Sequence, residues 1–531
     1  MPCSQPAASF ISNPEEYDLN LALSQQRISQ FLATNECPQD HELALIRPVA
    51  QKTTSRLAFL DAEISRLKDQ LSRLEKEHTV LMKYHAQNTA ILSPMRRVPA
   101  EILGEIFCWS LSLFSVPNLK YAPWVLTHVS RRWRAVTISR SSLWSHIYLD
   151  FTIKKKYSLA MVRTQIERAR TLQISFVGHR GPDSHLQVDM LQLLLHHSSI
   201  CEEIYLILTP ALVASITGWQ GHFPLLRRAW LQCDGQEAEA SIDSVDFFAI
   251  APSLADITVY SEHHFIPTLL PAHHRITRYD FAAPWSTHYE LLKSLPNLRE
   301  VRIVRRFDRG VPWPKPGQPI HLLHLQKMYV SSPECLDYLS APVLREIAIR
   351  PRKHVDTRNH LERFITRSSC IIRRLCIVGT PEVQPVEEIL SQYPSIAELA
   401  LRIIDIKQNE KTECDVLTTF LTRFTISDSA RILPHISKLD FGCDNPEAIS
   451  YPLYVNMLHS RWNAPDCALV AAELSLPNGF VDPDPESFSR MEALRQAGMQ
   501  VSFLMGDVAE DRADQWLYIV PWVAPADWEC N

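Results

Sequence analysis

Apolar positions recur along the chain in three successive rhythms. In the first, Leu57, Leu60, Ile64, Leu67, Leu71, Leu74 and Leu81 fall on alternating steps of three and four, with His78 at the one polar position. That is the seam of a heptad helix, expected over residues 51–92. Asp69, Arg73 and Glu77 stand four apart on its outer side, a spacing that supports an exposed helix. Before it, residues 1–50 are polar and broken by Pro2, Pro6, Pro14, Pro38 and Pro48, and read as a flexible tail. A seam this short serves either to join two copies of the chain as a homodimer or to fold back on its own protein.

The second rhythm lies in residues 93–150. Pro99 stands where a helix begins, and Ile102, Leu103, Ile106 and Phe107 follow at helical spacing. After a loop holding Pro117 and Pro123, Leu126, Val129, Trp133 and Val136 form a second apolar stripe, with Arg131, Arg132 and Arg134 left to water. Leu143-Trp144 closes the segment. Trp133 and Trp144 read most simply as core of a small helical unit.

The order Val98-Pro99-x-Glu101-Ile102-Leu103-x-x-Ile106-Phe107, then Val129-Ser130-Arg131-x-Trp133-Arg134-x-Val136, then Leu143-Trp144, resembles the F-box of proteins expanded in mushroom-forming fungi. The resemblance implies a helical hairpin that docks on a Skp1-like adaptor within a cullin-type ubiquitin ligase. Val98, Pro99, Ile102, Leu103, Ile106 and Phe107 would then be anchors in a partner groove, with Val129 and Trp133 supporting them. The chain departs from that pattern at Val98, where leucine is usual, and in the long insert from Ser110 to Ala122.

The third rhythm fills residues 151–506. A phrase with apolar residues at i, i+3 and i+5, often with proline two positions earlier, recurs as Pro224-x-Leu226-x-x-Ala229-x-Leu231, Pro252-x-Leu254-x-x-Ile257-x-Val259 and Pro296-x-Leu298-x-x-Val301-x-Ile303. Further copies centre on Tyr279, Met328, Ile347, Leu375, Leu399 and Leu439, and Cys201-x-x-Ile204-x-Leu206 is a degenerate first copy. Most spacings fall between roughly 19 and 28 residues and are similar to the leucine-rich repeat. No copy has Asn or Cys at i+8, so a regular asparagine ladder is excluded. The fold class expected is α/β: a coiled-coil-like helix, a helical hairpin, then an irregular leucine-rich-repeat-like solenoid with a parallel sheet. The repeat decays after Tyr451, with one last helix-strand unit over Glu486–Phe503. Residues 507–531 read as a cap, with Trp516, Trp522 and Trp528 over the last repeat's apolar edge.

Position i+2 of successive copies reads Glu203, Arg228, Asp256, Arg278, Glu300, Lys327, Glu346, Arg374, Glu398 and Lys438, so the sign alternates at every step. Parallel stacking would set these side chains beside one another as a charge ladder, each exposed pair contributing at most about 1 kcal/mol. Position i+4 shares that face and varies, and Trp230, Asp280, Arg302 and Tyr329 are its candidate target-binding residues.

The 531 residues are 46% hydrophobic and 21% charged, with a formal charge of -5, enough for a large core and without the basic field that nucleic acid requires. Twelve cysteines without a CxxC pair suggest reduced thiols and a cytoplasmic or nuclear protein. No long apolar run predicts a membrane span. No glycine-rich phosphate loop or nucleophile elbow is present, and His196-His197, His263-His264 and His273-His274 have no matched carboxylate, so they read as surface residues. The chain is expected to be a non-catalytic adaptor without cofactor or metal that holds a protein target for ubiquitin transfer. The alternative is a scaffold that self-associates through the heptad helix, with the hairpin packed internally.

Overall fold

The computed structural model describes residues 23–519 except 112–116, 154–155, 180–183, 217–218, 220, 236–243, 272–274, 309, 353, 405–409, 427–432, 434 and 480. Trp522, Trp528 and the His273-His274 pair lie outside the described residues. The chain divides into two compact units, Met1–Pro99 and Ala100–Asn531.

In the first unit, α1 (Gln25–Thr34) precedes α2 (Asp40–Leu92), a helix of 53 residues and about 80 Å. Helix α2 begins far earlier than the heptad seam predicts, because Glu42 accepts the Gln39 N–H at 2.8 Å and fixes a capped start. Residues 40–50, expected in a tail, are therefore helical, Pro48 included. Arg27 ties α1 to this start, with Nε 2.9 Å from Glu42 Oε1 and Nη1 3.2 Å from Glu36 Oε2. The heptad leucines face solvent, from 40% exposed at Leu60 to 62% at Leu74.

The second unit opens with α3 (Ala100–Trp109), a single turn at Leu126–Val129 and α4 (Arg131–Ser139). Ser130 caps α4 by accepting the Trp133 N–H at 3.1 Å. Fourteen strands then form one parallel sheet in chain order, from His146–Asp150 at one edge to Gln500–Met505 at the other. Residues 146–150, expected to end the helical segment, are thus the first strand of the sheet.

The recurring phrase explains the packing. On a strand, i+3 and i+5 point to one face, so Val301 and Ile303 are buried, with Leu298 entering just before them. They meet the buried sides of connecting helices such as Trp285–Ser294 and Thr357–Ser368, and the apolar cluster runs unbroken from Ile147 to Val501. The stretch past Tyr451 holds one more unit than the proline-marked phrase reveals, the helix Tyr451–Trp462 followed by the strand Ala471–Leu476. Its phrase, Leu469-x-x-Ala472-x-Leu474, lacks the leading proline and has alanine in the middle.

The register is the one the charges require. Glu203 pairs with Arg228, Arg228 with Asp256, Asp256 with Arg278 and Arg278 with Glu300. The row continues through Lys327, Glu346, Arg374 and Glu398 to Lys438.

Candidate binding surfaces

The helical segment is amphipathic in both directions. On α3, Leu103 and Phe107 are buried, and the Phe107 ring lies 4.7 Å from that of Trp133. Ile102 and Ile106 on the same helix remain 53% and 41% exposed, and Trp109 and Val129 are exposed as well. The eight expected anchors therefore separate. Ile102, Ile106 and Val129 are open, Leu103 and Phe107 are internal, and Trp133 is half-buried. Val98, half-buried, and Pro99, exposed, belong to the first unit.

Trp144 anchors the helices to the sheet. It is fully buried, donates from Nε1 to the Thr137 carbonyl at 2.8 Å and meets Trp124 edge-on at 5.1 Å. Trp124 donates to Gln165 Oε1 at 3.2 Å, while Gln165 donates to the carbonyl of His146 on the first strand at 2.8 Å. The Arg168 guanidinium lies over the Trp144 ring at 4.4 Å.

The sheet face beyond the ladder is less open than its sequence suggests. Arg228 stands 3.6 Å from Glu203 and 3.5 Å from Asp256, and Arg278 stands 2.8 Å from Asp256 and 3.1 Å from Glu300. In the adjoining row, Arg302 donates to Asp280 Oδ1 at 3.0 Å and lies 4.9 Å over the Tyr329 ring. The four candidate target residues were expected at an exposed surface. Trp230 is half-buried beside Tyr205 at 5.5 Å, Arg302 is half-buried, and Tyr329 and Asp280 are only 4% and 1% exposed.

The cover is a segment of the chain itself, beyond the last strand. Helix α5 (Gly506–Trp516) and the residues to Ile519 lie on this face, with Trp516 and Tyr518 in one apolar cluster with Tyr329, Ala348, Cys376 and Ala400. Trp516 was expected over the last repeat's edge. It lies instead against the sheet interior, because small residues leave a trough there: a Cβ on Gly442 would stand 2.8 Å from Trp516 Cζ3. The run Ala348, Cys376, Ala400 at i+4 was the available signal, since three small residues follow in succession on Arg302 and Tyr329. Burial pushes the Asp440 carboxyl up to about 6, against the pull of Lys438 at 3.0 Å and with Glu473 adding to the rise. Burial pushes Asp514 up to about 6 as well, Glu510 and Asp511 adding to it and Arg302 and Arg402 opposing.

Buried thiols are held protonated: burial pushes Cys201, Cys376 and Cys443 up to about 12. Of the paired histidines, His264 is buried rather than superficial. Among the described residues no group of three or more His, Cys, Asp or Glu side chains is placed to hold a metal ion. No described helix is long and apolar enough to cross a membrane. No model of a known protein family matches the chain, and no curated protein matches it.

Proposed function

We propose that the chain is a non-catalytic substrate-recognition adaptor of a Skp1-cullin-F-box ubiquitin ligase. In this reading the helices of residues 93–150 are an F-box-like hairpin that binds a Skp1-like adaptor, and the irregular leucine-rich-repeat-like solenoid holds a protein target. The observation that carries it is the division of α3. Leu103 and Phe107 complete the protein's own core, while Ile102 and Ile106 stay exposed at positions where the motif expects partner contact. Covering the two isoleucines would contribute about 1–3 kcal/mol to binding. The test is capture of a purified Skp1 by wild-type chain and by Ile102→Asp with Ile106→Asp. Both substitutions lie on the exposed side, so the sheet stays folded. Capture by wild type that the variant loses supports the adaptor. Failure of wild type to capture Skp1 overturns it.

A second reading is favoured by the exposed heptad seam of α2. Here the protein is a scaffold that self-associates through Leu57 to Leu81, and its mass in solution decides the matter.

A further inference from the structure

The segment Gly506–Ile519 touches the sheet from its last strands inward. Ser475 Oγ donates to the Ala509 carbonyl at 2.9 Å, Arg512 Nε stands 3.0 Å from Glu473 Oε1, and Arg278 Nη2 donates to the Tyr518 carbonyl at 2.8 Å. Arg278 and Glu473 lie on strands separated by six others in the sheet order. Fourteen residues therefore cover much of the face on which the adaptor reading places its target.

Fit by shape is good and fit by hydrogen bonding is poor. Trp516, 1% exposed, fills the space left by Gly442 and shares a cluster with Ala348, Cys376 and Ala400. Yet Asp280 Oδ2, Arg302 Nε, Arg402 Nη1, Asp440 Oδ1, Trp516 Nε1 and Tyr518 OH are all buried without a hydrogen bond among the described residues. The apolar cluster on the opposite face also holds buried polar atoms without a hydrogen bond, Trp285 Nε1 and Tyr454 OH, on separate helices, whereas at the trough six gather around one segment. Buried polar groups are ordinarily satisfied, and each exception carries a desolvation penalty. An occupant with correct shape and charge but unmet polar partners is one that a better-matched segment can replace.

We propose that this trough is a peptide-binding site, that its ligand is an acidic segment carrying two aromatic side chains two residues apart, and that Gly506–Ile519 is its internal occupant. The inference rests on the adaptor reading only in calling the external ligand a target. Ligand carboxylates lie in the field of Arg302 and Arg402, the first aromatic ring enters over Gly442, and a main-chain carbonyl takes the Arg278 guanidinium. In this chain those parts are played by Asp514, Trp516 and Tyr518.

The probe is a fluorescent peptide of residues 506–519 added in trans to three full-length proteins: wild type, Trp516→Ala with Tyr518→Ala, and that double variant with Gly442→Val. The double variant is expected to bind the peptide at least tenfold more tightly than wild type, whose site is occupied. Gly442→Val is expected to abolish binding, and so is removing both rings from the peptide. Equal binding to wild type and double variant overturns the proposal, as does no binding to either, or binding that survives Gly442→Val. Loss of cooperative unfolding in the double variant overturns it too, since the segment would then be part of the core. Skp1 capture is scored on the same proteins, so failure of the adaptor reading and failure of the trough are seen separately.

Discussion

Arg278 donates to the Tyr518 carbonyl at 2.8 Å across 240 positions of sequence, and the same guanidinium holds Asp256 and Glu300 of the two flanking strands. One planar cation thus joins three rungs of the ladder to the segment Gly506–Ile519. Arg278→Ala takes the guanidinium from Glu300, leaves Asp256 with Arg228 alone, and is predicted to cost about 3–5 kcal/mol in urea unfolding. Arg278→Lys is predicted to restore less than half, because an ammonium cannot reproduce a fork shared among four acceptors, Glu300, Asp256, Thr258 and the Tyr518 carbonyl.

The two faces of α3 predict opposite outcomes. Phe107→Ala removes a ring packed on Trp133 and is expected to cost about 3–5 kcal/mol. Ile102→Ala is expected to stay within about 0.5 kcal/mol, since the side chain is already half in water. Thermal unfolding measures both.

Docking of the C-terminal segment is predicted to tighten in mild acid. A docked Asp514 titrates at about 6, whereas a released one returns to the ordinary carboxylate range near 4. The docked form therefore holds more proton between about pH 4 and pH 6, so docking strengthens as pH falls through 6 and weakens above it. Asp440, also raised by burial, acts in the same direction if release exposes it. The peptide of residues 506–519 should bind the Trp516→Ala, Tyr518→Ala chain roughly threefold to tenfold more tightly at pH 5 than at pH 7.5, by fluorescence anisotropy. Asp514→Asn in the peptide should flatten that dependence.

Self-association through α2 makes a mass prediction. In parallel register, Arg56 would face Asp61 of the second copy and Glu63 would face Lys68, with no like charges opposed along Leu57 to Leu81. Light scattering should then give twice 60.8 kDa for wild type and the single mass for Leu67→Glu with Leu71→Glu. A single mass for wild type at micromolar concentration removes the scaffold reading.

The strands were legible because their apolar phrase and their charges obey one period, and a period survives irregular loops. Sign alternation at i+2 anticipated the strand partners from Glu203 to Lys438. The unit Tyr451–Leu476 was hidden because proline, not apolar spacing, made the other copies conspicuous. The early start of α2 was hidden for a different reason. Five prolines suggested a broken tail, and a single carboxylate at Glu42 outweighed one of them by capping the helix upstream of Pro48. Closure of the sheet face could not be read from periodicity at all. It depends on one residue without a side chain, Gly442, meeting one of the largest, Trp516, more than seventy positions later.

The alternating ladder also constrains how such a chain can grow. Remove the unit carrying Arg278 and Asp256 comes to rest beside Glu300, two carboxylates directly opposed. Insert a second copy of it and two guanidinium groups are neighbours instead. Removal or duplication of two consecutive units leaves every neighbour opposite in sign, so the sheet lengthens and shortens most easily by twos.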